Sequence, residues 1–224
     1  MTEAQDTRDI GSIFAQHVAN TSYKDLPEEA ILATKKNILD TLGITLGAGG
    51  TIPRYQDLVD LVTEGGGRQD STIIGFGGKV PAWMAAFANA AMAHGLDYDD
   101  IHSKVVVHPG PNLIPTAFAV AERVGKVSGK DFITAVAFGV DMESRMALAI
   151  TWEWDWHLSA VFGPFACAAT AGKLLGLGAD KLISAFGIAL YQAAGTTEVN
   201  WSTDTEFRGM YHGFTAKAGV LSAL

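Results

Sequence analysis

Long alanine-rich, nearly uncharged segments run through this sequence and stop at glycine or proline, and they constrain the fold more than any other feature. Apolar residues within them recur at helical spacing, which predicts amphipathic or buried α-helices. One piece, residues 71–80, has the composition of a strand, and it is brief. We therefore predict an all-α fold, a single bundle-like helical domain over residues 1–224. The expected helices cover residues 10–19, 27–47, 55–64, 82–94, 115–124, 128–150, 162–176, 182–194 and 208–224.

Several expected helix starts and stops depend on single residues. Asp25 is predicted to be an N-cap and Pro27 an early helical proline. Ser128 opens a sequence that resembles a capping box, and Asp180 is expected to cap the helix that follows it. Four residues that include three glycines, at 47–50, are expected to fray the second helix.

A cluster of titratable residues interrupts the apolar segments between residues 90 and 115. Three carboxylates and three of the six histidines fall within fifteen positions. Titratable groups at a helix end and along the next loop shift one another's pKa values, which is how acid–base sites are built. The structural alternative is that the carboxylates only end one helix and cap the next, with the histidines hydrogen-bonded in loops. The cluster consists of His94, Asp97, Asp99, Asp100, His102 and His108.

The net charge of −8 bears on the class of partner. Nucleic acid is excluded, because binding phosphates needs a basic face. An anionic substrate would be repelled at long range, so the positive groups that bind it must be concentrated at the site.

The apolar segments also bear on location. None reaches 18 uncharged apolar residues, so we expect no membrane span. The polar, acidic N-terminus does not resemble a signal peptide. The one cysteine, Cys167, lies in an apolar helical context, which predicts a buried, inert thiol. We therefore expect a cytoplasmic protein.

Two groups of motifs carry a family resemblance. The polar cluster contains H-G-L-D-Y-D-D-I-H, followed six residues later by His-Pro. Further on, W-H-L-S-A-V-F-G-P-F precedes G-K-L-L-G-L-G. Together they resemble the MmgE/PrpD family, which includes 2-methylcitrate dehydratase, cis-aconitate decarboxylase and iminodisuccinate epimerase. The resemblance covers nearly the whole chain. It implies that this chain corresponds to the N-terminal helical part of the family and is incomplete relative to it, because the C-terminal α/β part is absent.

Carried over position by position, the resemblance implies catalytic roles for Asp97, His108 and His157. Removing a proton α to a carboxylate needs a base with a pKa near neutrality, and histidine has an unperturbed pKa of about 6.5. We expect His108 to be the principal acid–base group, with Asp97 orienting it and holding its tautomer. His157 is expected to be a second acid–base group or a substrate clamp.

The resemblance also implies substrate-binding residues, for which we predict Arg208, His102 and Ile101. Arg208 stands where many relatives have lysine; it keeps the charge, cannot lose its proton and can bind a carboxylate bidentately. Ile101 stands where many relatives have threonine, so a hydroxyl donor is lost. His102 lies close to the cluster. We predict no metal ligand and no cofactor.

Other polar residues receive structural interpretations. His94 is placed at a helix C-terminus, where a histidine interacts favourably with the helix dipole. His212 is expected in solvent or at a subunit contact. Asp141, Glu143 and Arg145 are expected to form a local group of ion pairs.

The predicted function is acid–base chemistry at the carbon α to a carboxylate of a small di- or tricarboxylate, without a cofactor. A dehydratase or related lyase comes first, and an epimerase of an iminodisuccinate-like substrate is the alternative. Two other classes stay open: a metal-dependent hydrolase using the three aspartates with His102 or His108, and a non-catalytic helical partner or fragment.

The last predicted helix bears on assembly. Val220, Leu221 and Leu224 need a partner surface, because an open apolar stripe is an association site. The resemblance implies that a second subunit contributes to this surface, so we expect a homodimer. On its own, the chain is expected to self-associate and to show little or no turnover.

Overall fold

The computed structural model describes residues 9–201 and 206–224, and these residues are predominantly helical, which confirms the all-α prediction. The predicted strand region forms only a small antiparallel hairpin, in which β1 (Ser71–Thr72) pairs with β2 (Lys79–Val80). The helices are α1 (Ile10–Asn20), α2 (Glu28–Thr51), α3 (Arg54–Glu64), α4 (Ala82–His94), α5 (Pro109–Val124), α6 (Gly129–Leu148), α7 (Leu158–Leu174), α8 (Ala179–Leu190), α9 (Glu198–Trp201) and α10 (Tyr211–Ala223).

Helix capping follows the sequence at some starts and not at others. The Ser128 hydroxyl accepts a hydrogen bond from the Asp131 backbone N–H at 3.1 Å, as predicted. The N-cap of α2 is Pro27 rather than Asp25, which lies in a preceding 3₁₀ turn. Gly178, not Asp180, is the N-cap of α8. The expected fraying at residues 47–50 is absent from α2, because glycine lowers helix propensity without preventing the helical conformation.

Helices α5 and α7 begin four or more residues earlier than predicted. We expected a start at residue 115 for α5 and at 162 for α7, whereas they begin at Pro109 and Leu158. Proline is favourable at the first helical position, because a backbone N–H there would have no hydrogen-bond acceptor within the helix. The Asp100 carboxylate also accepts a hydrogen bond from the Gly110 N–H at 2.9 Å. His108 therefore immediately precedes a helix, and so does His157.

Helix α4 is at the centre of the fold, as its small residues predict. Eleven of its residues are buried, and it packs against α2, α5 and α10. Helix α10 lies between α4 and α7 and approaches both closely. A Cβ atom at Gly213 would lie 2.6 Å from the Phe87 carbonyl oxygen, and one at Gly219 would overlap Cys167. Small residues at these contacts thus set the spacing of the helices that surround the polar cluster.

Two expectations about apolar residues are met. No helix among the described residues is both long enough and apolar enough to cross a lipid bilayer. Cys167 is a free, fully buried thiol whose pKa is raised by burial, so it is inert as predicted. The three residues at the C-terminal end of α10 expected to form one open apolar stripe differ in exposure. Val220 is buried in the core, whereas Leu221 and Leu224 are partly exposed.

Candidate active site

The polar cluster lies where the chain passes from α4 to α5. Helix α4 ends at His94, and Asp97 then adopts a left-handed backbone conformation with φ of 50°. The Asp97 N–H donates to the His94 carbonyl at 3.0 Å, so the chain reverses tightly beside the helix end. His108, immediately before α5, donates its backbone N–H to the Ser159 hydroxyl at 2.8 Å. These contacts bring residues from two helix ends and the first turn of α7 to one place.

The centre of the cluster is a buried carboxylate shared by two imidazoles, and we call His94, Asp99 and His108 the inner group. Asp99 Oδ1 lies 2.9 Å from His94 Nδ1, and Asp99 Oδ2 lies 2.9 Å from His108 Nδ1. The side chain of Asp99 is fully buried, whereas that of His108 is 15% exposed. A ligand could therefore reach His108 without displacing the carboxylate.

Electrostatics within the inner group favour an ionised Asp99. Burial alone would raise the pKa of Asp99, but the hydrogen bonds and charges of His108 and His94 hold it well below its usual range. Burial likewise acts to lower the pKa of His108, and the Asp99 hydrogen bond and charge outweigh it, so the net shift is upward. With Asp99 ionised, both imidazoles present Nδ1–H to it.

Asp97 does not have the partner predicted for it. The carboxylate that contacts His108 is Asp99, and Asp97 pairs instead with Arg208, with 2.8 Å between its Oδ2 and Arg208 Nη2. We call Asp97 and Arg208 the outer pair, since their side chains are 51% and 43% exposed. Burial acts to raise the pKa of Asp97, but Arg208 and His94 lower it overall. Arg208 lies in the 3₁₀ turn Glu206–Gly209, immediately before α10, so Asp97 connects the end of α4 to the start of the last helix.

Asp100, the third carboxylate, faces a different direction. It accepts hydrogen bonds from Asn37 Nδ2 at 3.1 Å and from the Gly110 N–H. Burial, followed by the charge of Asp99, raises its pKa to about 6. The three aspartates therefore have separate partners and do not converge as the ligand set expected for the metal-hydrolase alternative.

One other set of residues has potential metal-ligand atoms close together. Within residues 9–201 and 206–224, His94, Asp99 and His212 each offer an atom within 4.8 Å of the others. The Nδ1 atoms of both histidines already make hydrogen bonds, to Asp99 and to Asn112. A metal ion would have to use the remaining nitrogens or break these bonds, and the absence of a metal stays a prediction.

His157 reaches the cluster from the start of α7. Its ring centroid is 4.3 Å from that of Tyr211, which in turn is 4.8 Å from that of His94. Burial, with the positive charges of His94 and His108, lowers the pKa of His157 to about 4. Burial, with the charge of Asp99, raises the pKa of Tyr211 well above its usual value. Both groups are therefore neutral near pH 7, and His157 cannot be a cationic acid there.

Behind the inner group lies a buried polar network. His212 is fully buried, which corrects the expectation of solvent or a subunit contact, and its Nδ1 lies 2.6 Å from Asn112 Oδ1. Asn112 Nδ2 donates to Glu143 Oε1 at 3.1 Å and to the Ser159 carbonyl at 3.3 Å. Burial raises the pKa of Glu143 well above its usual value. Of the expected ion-pair group, Arg145 contacts Asp141 at 2.7 Å and Glu143 is separate from them.

The two remaining predicted residues lie along the connecting loop. The His102 backbone N–H donates to the Val107 carbonyl at 2.8 Å, and its side chain is partly buried. The side chain of Ile101 is 52% exposed. None of the described hydrogen bonds or ring contacts joins either side chain to the inner group. Their roles in substrate binding stay predictions.

Comparison with known proteins identifies the family. Residues 12–224 match the MmgE/PrpD N-terminal domain. The chain belongs to the MmgE/PrpD family. Its similar curated relatives include cis-aconitate decarboxylase of Aspergillus terreus, 30% identical over 96% of this chain and 45% of that protein. The human protein of the same name is 29% identical over 96% of this chain and 46% of its own length. The chain thus spans about half the length of the curated relatives it matches.

Several site residues were missed from sequence. His94 was assigned only a dipole interaction, and Asp99 was given no role of its own beside Asp97. Tyr211 and His212 lie about a hundred residues further on, so no local spacing connects them to the cluster. A weak signal was present, because Asn112 and His212 are polar residues within long runs of small and apolar ones. Such positions are expensive to bury unless a partner is supplied.

Proposed function

We propose that the chain contributes the acid–base site of a lyase that acts, without a cofactor, at the carbon α to a carboxylate of a small di- or tricarboxylate. Membership of the MmgE/PrpD family and the decarboxylases among its relatives support a lyase. The substrate class and the position of the reaction are what the family resemblance implies, and the geometry of the site supports acid–base chemistry there.

The observation that carries the proposal is the inner group. Asp99 accepts the Nδ1–H of His108 and so holds that ring in one tautomer, with Nε2 free of a proton whenever the ring is neutral. Nε2 is then the atom that removes a proton from a substrate carbon. The imidazolium that results is stabilised by the adjacent carboxylate, which is fully buried and stays ionised.

The outer pair supports an anionic substrate. The guanidinium of Arg208 keeps its charge at any working pH and is partly exposed beside the inner group. In a chain with a net charge of −8, it places a positive group where a carboxylate must bind. Asp97 neutralises it in the unliganded protein, so a substrate carboxylate would compete with Asp97 for the guanidinium.

The neutral groups supply hydrogen bonds for the developing charge. Proton removal moves the C–H electron pair into the adjacent carboxylate and creates an enediolate, which needs donors. The Tyr211 hydroxyl stays protonated, and His157 has a ring nitrogen, Nδ1, with no hydrogen-bond partner among the described residues. Collapse of the enediolate then expels the group on the β carbon, which His108 can protonate as it leaves.

Hydrogen exchange in heavy water tests the proposal. The chain is incubated with a panel of small di- and tricarboxylates, with and without the C-terminal portion that the longer relatives carry. We expect exchange at one α carbon and its loss in His108→Ala, with His17→Ala, on exposed α1, as the control. Elimination of the β group indicates a lyase, and inversion without elimination indicates an epimerase. No exchange in either form would contradict the proposal and favour a non-catalytic partner.

We propose in addition that the protein is a homodimer, as expected from the sequence. The partly exposed Leu221 and Leu224 of α10 support a further contact on this face. Light scattering gives the mass directly, and a monomer across the micromolar range would contradict this proposal.

A further inference from the structure

His212 is the most deeply buried imidazole of the site, and the mechanism above does not use it. It is fully buried on α10, with its ring centroid 4.3 Å from that of His94 and 6.1 Å from that of His108. Its Nδ1 makes a 2.6 Å hydrogen bond with Asn112, and its Nε2 has no hydrogen-bond partner within the described part of the chain. A buried polar atom without a partner is costly, so it needs an explanation.

The surroundings of Asn112 decide which of its amide atoms faces His212. The amide nitrogen is placed 3.3 Å from the Ser159 carbonyl oxygen and 3.1 Å from Glu143 Oε1. A neutral carboxyl at Glu143 can donate or accept and does not discriminate between the two orientations. A backbone carbonyl only accepts, so the NH₂ group must face Ser159. The amide oxygen therefore faces His212.

The orientation of the amide fixes the tautomer of His212. Because Asn112 Oδ1 is an acceptor, His212 Nδ1 must carry the proton. Burial, followed by the charges of His94 and His108, lowers the pKa of His212 well below its usual value. The ring is thus neutral with its single proton on Nδ1, and the buried Nε2 carries none.

We propose that His212 is a positioning residue that, held by Asn112 as the Nδ1–H tautomer, packs its ring edge against the His94 ring and so maintains the inner group. This inference deepens the proposed function and rests on it for its catalytic consequence. His94 and His108 share the two oxygens of one carboxylate, so a rotation of the His94 ring would alter the hydrogen bond that orients His108. His212 acts through His94 and need not touch the substrate.

Nitrogen-15 NMR of the histidine rings tests the tautomer in the unmodified 224-residue chain. We expect His212 to show a protonated Nδ1 and a bare Nε2, and to remain unchanged from pH 5 to pH 9. The exposed His17 provides the reference ring in the same spectra. An Nε2–H tautomer, or a ring that gains a second proton in this range, would overturn the inference without any substituted protein.

A matched pair of variants tests the positioning role. His212→Gln retains a donor for Asn112, whereas His212→Leu keeps bulk and loses that donor, so nothing holds its side chain against His94. We expect the Leu variant to lower the His108 titration midpoint by about one pH unit, because a weakened Asp99 contact no longer supports the protonated ring. The Gln variant should keep the wild-type midpoint. Equal midpoints in wild-type and Leu proteins of unchanged fold would overturn the proposal.

These measurements separate the inference from the proposed function. Neither the tautomer of His212 nor the titration midpoint of His108 requires turnover to be measured. If the NMR result is as expected but no hydrogen exchange of a substrate is detected, only the proposed function is contradicted. Exchange activity with the wrong tautomer contradicts only the role of His212. If His212→Leu does not fold, the tautomer of the wild-type ring and the midpoint in Asn112→Leu, which removes the acceptor for the His212 Nδ1–H, decide the matter. A lowered midpoint is expected in Asn112→Leu, and an unchanged one would overturn the inference.

Discussion

Asp97 and Asp99 are the same residue type two positions apart, yet they belong to different environments. Asp97, in the outer pair, is about half exposed and contacts a cation that cannot lose its proton. Asp99, in the inner group, is fully buried between His94 and His108, whose imidazole rings can gain and lose a proton. Surroundings, rather than residue type, therefore separate a carboxylate that holds a fixed charge from one that can control proton transfer.

The inner group should control the rate, and His108→Ala is the strongest test. We expect kcat to fall by about 10²–10⁴, the usual worth of a positioned general acid or base. The measurement is initial rate on the substrate found by exchange, with circular dichroism to confirm the fold. Ser103→Ala, at an exposed position of the same loop, is the control, and an equal loss in both variants would assign the effect to the loop.

Replacing each aspartate by asparagine tests the comparison itself. Asp99→Asn should lower kcat by about 10²–10³, because an amide no longer fixes the imidazole tautomer or stabilises the imidazolium. Asp97→Asn should lower kcat by less than about tenfold. Steady-state kinetics on both variants decide it, and a larger loss in Asp97→Asn would restore the role first expected for that residue.

Arg208→Lys probes the outer pair. We expect KM to rise about tenfold with little change in kcat, because an ammonium group cannot reproduce a bidentate contact with a carboxylate. Lys217, which is on α10 and lies over the Trp83 ring at 5.4 Å, offers Lys217→Arg as a control substitution that also keeps the positive charge. A fall in kcat with unchanged KM would place Arg208 among the groups that transfer or stabilise charge in the transition state.

The pH dependence sharpens the distinction. His108 must be neutral to accept a proton, and its pKa is raised above 6.5 by Asp99. The rate should therefore increase as pH rises through a midpoint above 6.5 and stay high beyond it. In Asp99→Asn the raising charge is gone and burial remains, so the midpoint should move to lower pH, by about one unit. A rate profile that does not respond to this substitution would remove His108 as the titrating base.

The smallest effect is expected at Ile101. Its side chain is about half exposed, so Ile101→Thr should change the free energy of unfolding by less than about 0.5 kcal/mol. Thermal denaturation gives this value, and the same protein tests whether a hydroxyl here alters KM. A loss of several kcal/mol would show that the loop packs against the inner group more tightly than its exposure indicates.

Local pattern predicted more of the fold than of the site. The predicted bounds of α4 agree with the structure, because a proline, a run of small residues and a glycine define this helix. The predicted start of α5 is six residues late, because several prolines near a helix start make its first turn hard to distinguish from a loop. The expected residues His108, Asp97, His157 and Arg208 do lie around one cluster. The partner of each could not be predicted, since it depends on a left-handed turn at Asp97 and on the packing of α10 beside α4.

Gly219 has a consequence for the site although it contributes no atom to the chemistry. It follows His212 by seven residues, two turns along α10 and about 10 Å away, on the same side of the helix. A Cβ there would overlap Cys167 and lie 2.8 Å from the Ala168 backbone nitrogen. Any larger residue at this position would push α10 away from α7 and tilt the N-terminal end of α10, which carries His212. The absence of a side chain at Gly219 thus sets the position of the His212 ring. A substitution there could impair the site although every polar residue in it stayed the same.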